Sequence, residues 1–160
     1  MITLDQLCWI AIAAYAIHVL EEYTLDWKTW ALLALGLRFD WPTFYVGKSV
    51  VLVLGIVSAQ IAPQTPILAL CFPALLLVEA TFSHVLPVVL MRGQFSPGLL
   101  TAVLLFYPIG GYCYWAVFQT GLLTKSSLVA SLVGGAVLTT LPLFFLRLRN
   151  KEYFLPLNKR

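Results

Sequence analysis

Charged side chains are scarce in this sequence. Lys, Arg, Asp and Glu make up 11% of its 160 residues, where a soluble globular domain carries about 25%, and so low a share excludes a chain that keeps its whole surface in water. Paired cysteines are missing too. Cys8, Cys71 and Cys113 stand alone in three separate apolar stretches without CxxC spacing, so no disulfide framework is expected and the three read as small packing residues. The first residues, Met1 to Gln6, contain Asp5 and neither Lys nor Arg, so a cleaved secretory leader with a basic start is not expected. There is no low-complexity segment and no internal repeat strong enough to argue an inverted-repeat transporter. A basic stripe or nucleic-acid motif is also lacking, so a net charge of +3 and a pI of ≈ 8.8 point to anionic lipid headgroups rather than to nucleic acid.

What fills the space is hydrocarbon: 61% of residues are hydrophobic and the mean hydropathy is +0.90. Apolar runs of about 20 residues, the length that crosses a bilayer, cover Leu4 to Tyr23, Phe44 to Ala62, Pro66 to Leu90, Gly98 to Phe118 and Ser126 to Leu146. The expected architecture is therefore all-α: one polytopic membrane domain over residues 1–160, a helix bundle with about five transmembrane helices. Between the first two spans, residues 26–41 place Trp27, Trp30, Ala34, Leu37 and Trp41 at helical spacing in a stretch too short to cross, which predicts an interfacial helix with tryptophans at headgroup level. An odd number of spans puts the termini on opposite sides. The tail at 147–160 carries Arg147, Arg149, Lys151, Lys159 and Arg160, so the C-terminus is expected in the cytoplasm and the N-terminus outside a cell inner (plasma) membrane. Lys28, Arg38 and Arg92 then fall in inside loops, and only Lys125 falls on the wrong side.

The ionisable residues inside these spans are the chemically informative ones, because each costs about 2.5 to 3.5 kcal/mol in hydrocarbon even on the lenient insertion scale. His18, Glu21 and Glu22 end the first span; Lys48 lies just over one turn into the second; Glu79, Ser83 and His84 lie in the third and Thr101 in the fourth. With this orientation all of them fall in the cytoplasmic third, predicting a polar pocket. On a helical wheel Glu22 lies about 40° and Glu21 about 60° from His18, on one face with Tyr15. Glu79 and His84 are about 140° apart on an α-helical wheel, flanking a small polar surface that Pro87 can kink. Lys48 either snorkels to the headgroups or pairs with a pocket glutamate. Small residues in the last two spans (Gly110, Gly111, Ala130, Ser131, Gly134, Gly135) predict close helix packing.

His18-Val19-Leu20-Glu21-Glu22 is an HxxEE sequence, followed by a second lone histidine, His84, and by Phe95-Ser96-Pro97-Gly98. In that order the chain resembles the HXXEE family of small bacterial and archaeal membrane proteins, which pair the motif with another histidine and a YxPG motif. The resemblance runs from residue 18 to about residue 101, with Phe95 in place of the tyrosine. It implies no particular activity; it implies that these residues belong to one site.

Two histidines and three carboxylates fit three chemistries. One is acid–base catalysis on a lipid-soluble substrate, an isomerisation or cyclisation in which a pocket carboxyl and His18 or His84 move the proton. A second is a metal site of iron, manganese or zinc on His18, Glu22, Glu79 and His84. The third is a proton- or cation-coupled transporter. The expectation is an intramembrane enzyme acting on an apolar or amphipathic, lipid-like substrate from the inner leaflet, with metal dependence open. His18, Glu21, Glu22, Glu79 and His84 are its catalytic candidates, and Tyr15, Lys48, Ser83 and Thr101 its substrate-binding candidates. Expected partners are membrane lipids and a lipid-soluble small molecule, not nucleic acid, with assembly into a homo-oligomer open.

Overall fold

The computed structural model describes residues 2–38 and 40–149, and their regular structure is entirely helical. We number six helices: α1 Leu4–Thr24, α2 Trp27–Leu35, α3 Trp41–Ile61, α4 Pro66–Leu90, α5 Leu99–Gln119 and α6 Lys125–Arg149. Local chemistry sets the helix starts. Gln6 accepts from the Thr3 backbone N–H at α1 and Asp40 from the Thr43 N–H at α3; Thr124 and Ser127 bond reciprocally at the start of α6. Pro42 and Pro66 occupy first-turn positions of α3 and α4, where a missing N–H costs nothing.

Four helices, α1, α3, α4 and α5, are long and apolar enough to cross a membrane. The fifth expected span falls on α6, whose described apolar part, Lys125–Leu141, is shorter; of the expected basic tail, residues 150–160 lie outside the described residues. Large hydrophobics coat the outside: Leu33 is 80% exposed, Val89 68%, Leu104 67% and Phe118 62%. The inside instead buries His18, Glu22, His84 and Ser96. Apolar surface outward and ionisable groups inward is the distribution lipid selects and water forbids. The chain is a helical membrane bundle.

Because lipid removes the hydrophobic drive between helices, packing and interhelical hydrogen bonds hold the bundle. α4 lies at its centre, packed on α5 and α6, while α1 packs on α3 and α5. The small residues of the last two spans pack closely, as expected, against α4: a methyl group on Gly135 would come within 2.6 Å of the Ala74 and Leu75 backbones, so only glycine permits the observed approach of α6 to α4. Between α5 and α6 the link is a 2.8 Å hydrogen bond joining Tyr114 and Ser131.

Two helices are not α-helical throughout. α4 widens into a π turn at Ala80–Val85 and α5 at Ala102–Phe106. Each widened turn is followed two residues later by a proline, Pro87 and Pro108. A proline ring presses on the carbonyl four residues back and offers that carbonyl no N–H. Those carbonyls belong to Ser83 and Leu104, inside the two π turns, and the i→i+5 pattern accommodates both faults.

Candidate functional site

The π turn in α4 decides the site's geometry. On a regular helix Glu79 and His84 would diverge, but in a turn of i→i+5 bonds residues five apart come into register, and both side chains reach the same interior. Glu79 Oε1 accepts from Lys48 Nζ at 2.9 Å. His84 Nε2 lies 3.8 Å from Glu22 Oε1. One helical turn before Glu22, His18 puts its Nε2 3.5 Å from the same oxygen, and its ring meets that of His84 edge-on with centroids 4.8 Å apart. Lys48 does not snorkel; its ammonium touches the other Glu22 oxygen, Oε2, at 2.5 Å. His18, Glu22, Glu79 and His84 each offer one ligand atom within 4.8 Å of all the others, so these four residues could hold a metal ion.

Outer contacts fix both imidazole rings. Thr101 donates its hydroxyl hydrogen to Glu21 Oε2 at 2.6 Å, so its oxygen is left to accept from His18 Nδ1 at 2.7 Å. Ser96 is bonded to His84 Nδ1 at 3.3 Å and donates to the Pro97 carbonyl at 3.5 Å. With Nδ1 engaged in this way on each ring, both Nε2 atoms are left on the side of Glu22 Oε1. Neither Nε2 has a hydrogen-bond partner, and neither does Glu22 Oε1, although all three atoms are buried.

Glu21 stands apart from its neighbour. Its carboxylate accepts the backbone N–H groups of Gly98 and Leu100 at 3.1 Å and of Thr101 at 2.8 Å. These are the orphan donors at the start of α5, the positive end of its dipole. Expected among the catalytic residues, Glu21 is placed as the cap of α5, and through Thr101 it orients His18. Thr101, expected to bind substrate, sits in that relay. Gly98 closes the site from the loop. Its φ is +94°, and a methyl there would lie 2.5 Å from His84 Cε1 and 2.7 Å from His18 Cε1, so the position excludes every side chain.

A cavity of about 280 Å³ lies against the outer side of this cluster. Lys48, Glu79, Tyr15 and Ser83 are among its polar walls, with Thr139 and Thr140 from α6; Phe44, Val51, Leu75 and Phe82 are among its apolar ones. His18, Glu22 and His84 do not line it. The site therefore has two layers, an inner His–Glu–His group and an outer Lys48–Glu79 pair at the cavity wall. Trp27 also helps line the cavity, its ring 6.0 Å from that of Phe44.

A family model described as a protein of unknown function with HXXEE motif matches residues 9–113, two thirds of the sequence. The chain belongs to the HXXEE family. Comparison with curated proteins and with solved structures returned no match. The matched region carries the HxxEE turn, Lys48, Glu79, His84 and the Phe95–Gly98 loop, the whole inner layer with its outer contacts. Sequence reading assigned no role to Ser96, Gly98 or Phe106. The first two were visible only as motif letters beside Pro97; Phe106, whose ring lies 4.5 Å from that of His18, carried no signal beyond its place in an apolar run.

Proposed function

We propose that this HXXEE protein is an intramembrane enzyme acting on an apolar or amphipathic, lipid-like substrate at the Lys48–Glu79 face of the cluster. The observation that carries the reading is the cavity: a mostly apolar chamber with one carboxylate and one ammonium side by side on its wall. Its size is near the lower end of ligand pockets, about 300 to 1,000 Å³, and suits a short chain or the reactive end of a longer one. Glu79, paired with Lys48 at 2.9 Å, is the group to which this reading assigns the role of base. It takes a proton from a carbon next to a double bond and returns it two carbons away, an isomerisation that consumes no co-reactant. Lys48 stabilises the charge that develops on the substrate. The reading includes an inner-membrane location with the N-terminus outside, the C-terminus in the cytoplasm and the cluster toward the cytoplasmic side.

The test is a binding and conversion assay. Protein extracted in mild detergent is expected to retain one class of lipid, lost in Ser83→Phe, which fills the cavity. In an isotopically labelled membrane lipid extract, the wild type is expected to deplete one species in favour of an isomer of equal mass, and Glu79→Gln to leave it untouched. A wild type that neither retains nor converts any lipid removes the enzyme reading. Tags accessible from the same side at both ends overturn the orientation.

A further inference from the structure

We infer that the inner layer is a site for one divalent first-row transition cation, zinc or iron(II), held by His18 Nε2, His84 Nε2 and Glu22 Oε1, with Glu79 as the fourth ligand on the cavity side. The inference shares its site with the enzyme reading but does not need catalysis to hold.

Four observations carry it. First, the three inner atoms converge while lacking hydrogen bonds: Glu22 Oε1 lies 3.5 and 3.8 Å from the two Nε2 atoms, close to the spacing of ligands about 2.0 to 2.2 Å from a common ion. A buried imidazole nitrogen and a carboxylate oxygen left this way are costly unless something binds between them. Second, both histidines are held from behind at Nδ1, by Thr101 backed by Glu21 and by Ser96, the outer contacts that fix the tautomer and aim of metal-ligating histidines. Third, Lys48 uses Glu22 Oε2 and leaves Oε1 to the histidines, so the Lys48–Glu22 ion pair and the three inner ligands do not compete for the same oxygen. Fourth, two carboxylates, Glu22 and Glu79, share the single ammonium of Lys48, so the buried cluster holds more acidic than basic side chains to receive a cation. Two imidazoles with carboxylates select zinc or iron(II) over calcium or magnesium, which prefer all-oxygen sites.

Gly98 supports the same reading from the loop side. It lies against the Cε1 atoms of both rings and so closes the pair from that side.

The experiment uses full-length protein in detergent and needs no substrate. Elemental analysis is expected to find zinc or iron near one equivalent, and metal-stripped protein is expected to take up one equivalent of Zn(II). Co(II), used as a probe, is expected to give the visible absorption of an imidazole–carboxylate site. His18→Ala and His84→Ala are expected to abolish both signals. Should these variants fail to accumulate, Ser96→Ala and Thr101→Val keep the ligands and remove only the contacts behind them; each is expected to weaken Zn(II) binding about 10- to 100-fold. Stripped wild type that takes up neither Zn(II) nor Co(II) overturns the inference, as does uptake equally strong in the histidine or outer-contact variants. Lipid conversion by a protein that takes up no metal leaves the enzyme reading standing and sinks this one; metal uptake without conversion does the reverse.

Discussion

The two ends of the bundle are held together by opposite means. At one end Leu7, Leu70, Cys113 and Val117 form a buried apolar cluster, with Leu4 and Ile67 packed against it, and nothing there needs a partner to be stable in lipid. At the other, His18, Glu22 and His84 are as fully buried as those leucines, and Lys48 and Glu79 nearly so. The first arrangement costs nothing to insert. The second costs several kcal/mol per ion unless the charges compensate one another, and replacing it by packed hydrocarbon would serve stability as well. The difference between the ends can be measured.

The largest effect is expected from breaking the compensation. Lys48→Met leaves the Glu22 and Glu79 carboxylates facing each other without their shared cation, which is expected to destabilise the bundle by about 3 to 5 kcal/mol, read as a lower melting temperature in detergent. Adding Glu22→Gln and Glu79→Gln to the same chain removes both stranded charges and is expected to recover most of the loss. If the triple variant stays as unstable as the single one, the cluster does not work through charge.

Next comes the apolar end. Leu70→Ala is expected to cost about 2 to 5 kcal/mol through the cavity it leaves, with metal uptake and lipid conversion unaltered in the fraction that stays folded. A change in either function would show that the two ends are coupled. A smaller effect is expected from Gly98→Ala. The positive φ alone costs about 1 to 2 kcal/mol for a residue with a Cβ, and the methyl must push both imidazole rings aside. Loss of Zn(II) uptake out of proportion to the fall in melting temperature is the expected signature, and proportional losses would reduce Gly98 to a turn residue.

The sequence made some of this legible and hid the rest for identifiable reasons. His18 and Glu22 could be placed on one face because they lie four residues apart on a regular helix. Glu79 and His84 could not, because a wheel of constant pitch separates them and the π turn that brings them together depends on where Pro87 forces the backbone open. The same proline spacing recurs at Pro108 after the π turn of α5, a pattern available in the sequence to a reader watching for it. Glu21 and Glu22 are indistinguishable as letters. They part company because the start of α5 arrives over one of them and Lys48 over the other, a fact of packing between residues distant in the sequence. Lys48 is a similar case: a cation one turn into a span can reach headgroups or carboxylates, and only the placement of α3 against α1 and α4 decides.

The smallest effect on stability, and the one that separates function from bracing most sharply, is expected at Glu79. A lone carboxylate near the middle of a span would cost insertion energy, and its removal would stabilise the chain. Glu79 is not alone, since Lys48 donates to it at 2.9 Å; yet Lys48 keeps Glu22 as a second partner at 2.5 Å. Glu79→Gln therefore strands no charge and gives up one charge-assisted hydrogen bond while retaining a neutral acceptor in its place. The net change is expected to stay within about 1.5 kcal/mol, far below that of Lys48→Met. Lipid conversion, which needs the carboxylate itself, is expected to vanish. Because the two variants touch the same ion pair from opposite sides, their melting temperatures can be compared directly in one detergent. A Glu79→Gln protein that melts as low as Lys48→Met, or that converts lipid at the wild-type rate, would mean that the pair braces α3 against α4 and that the catalytic base lies elsewhere.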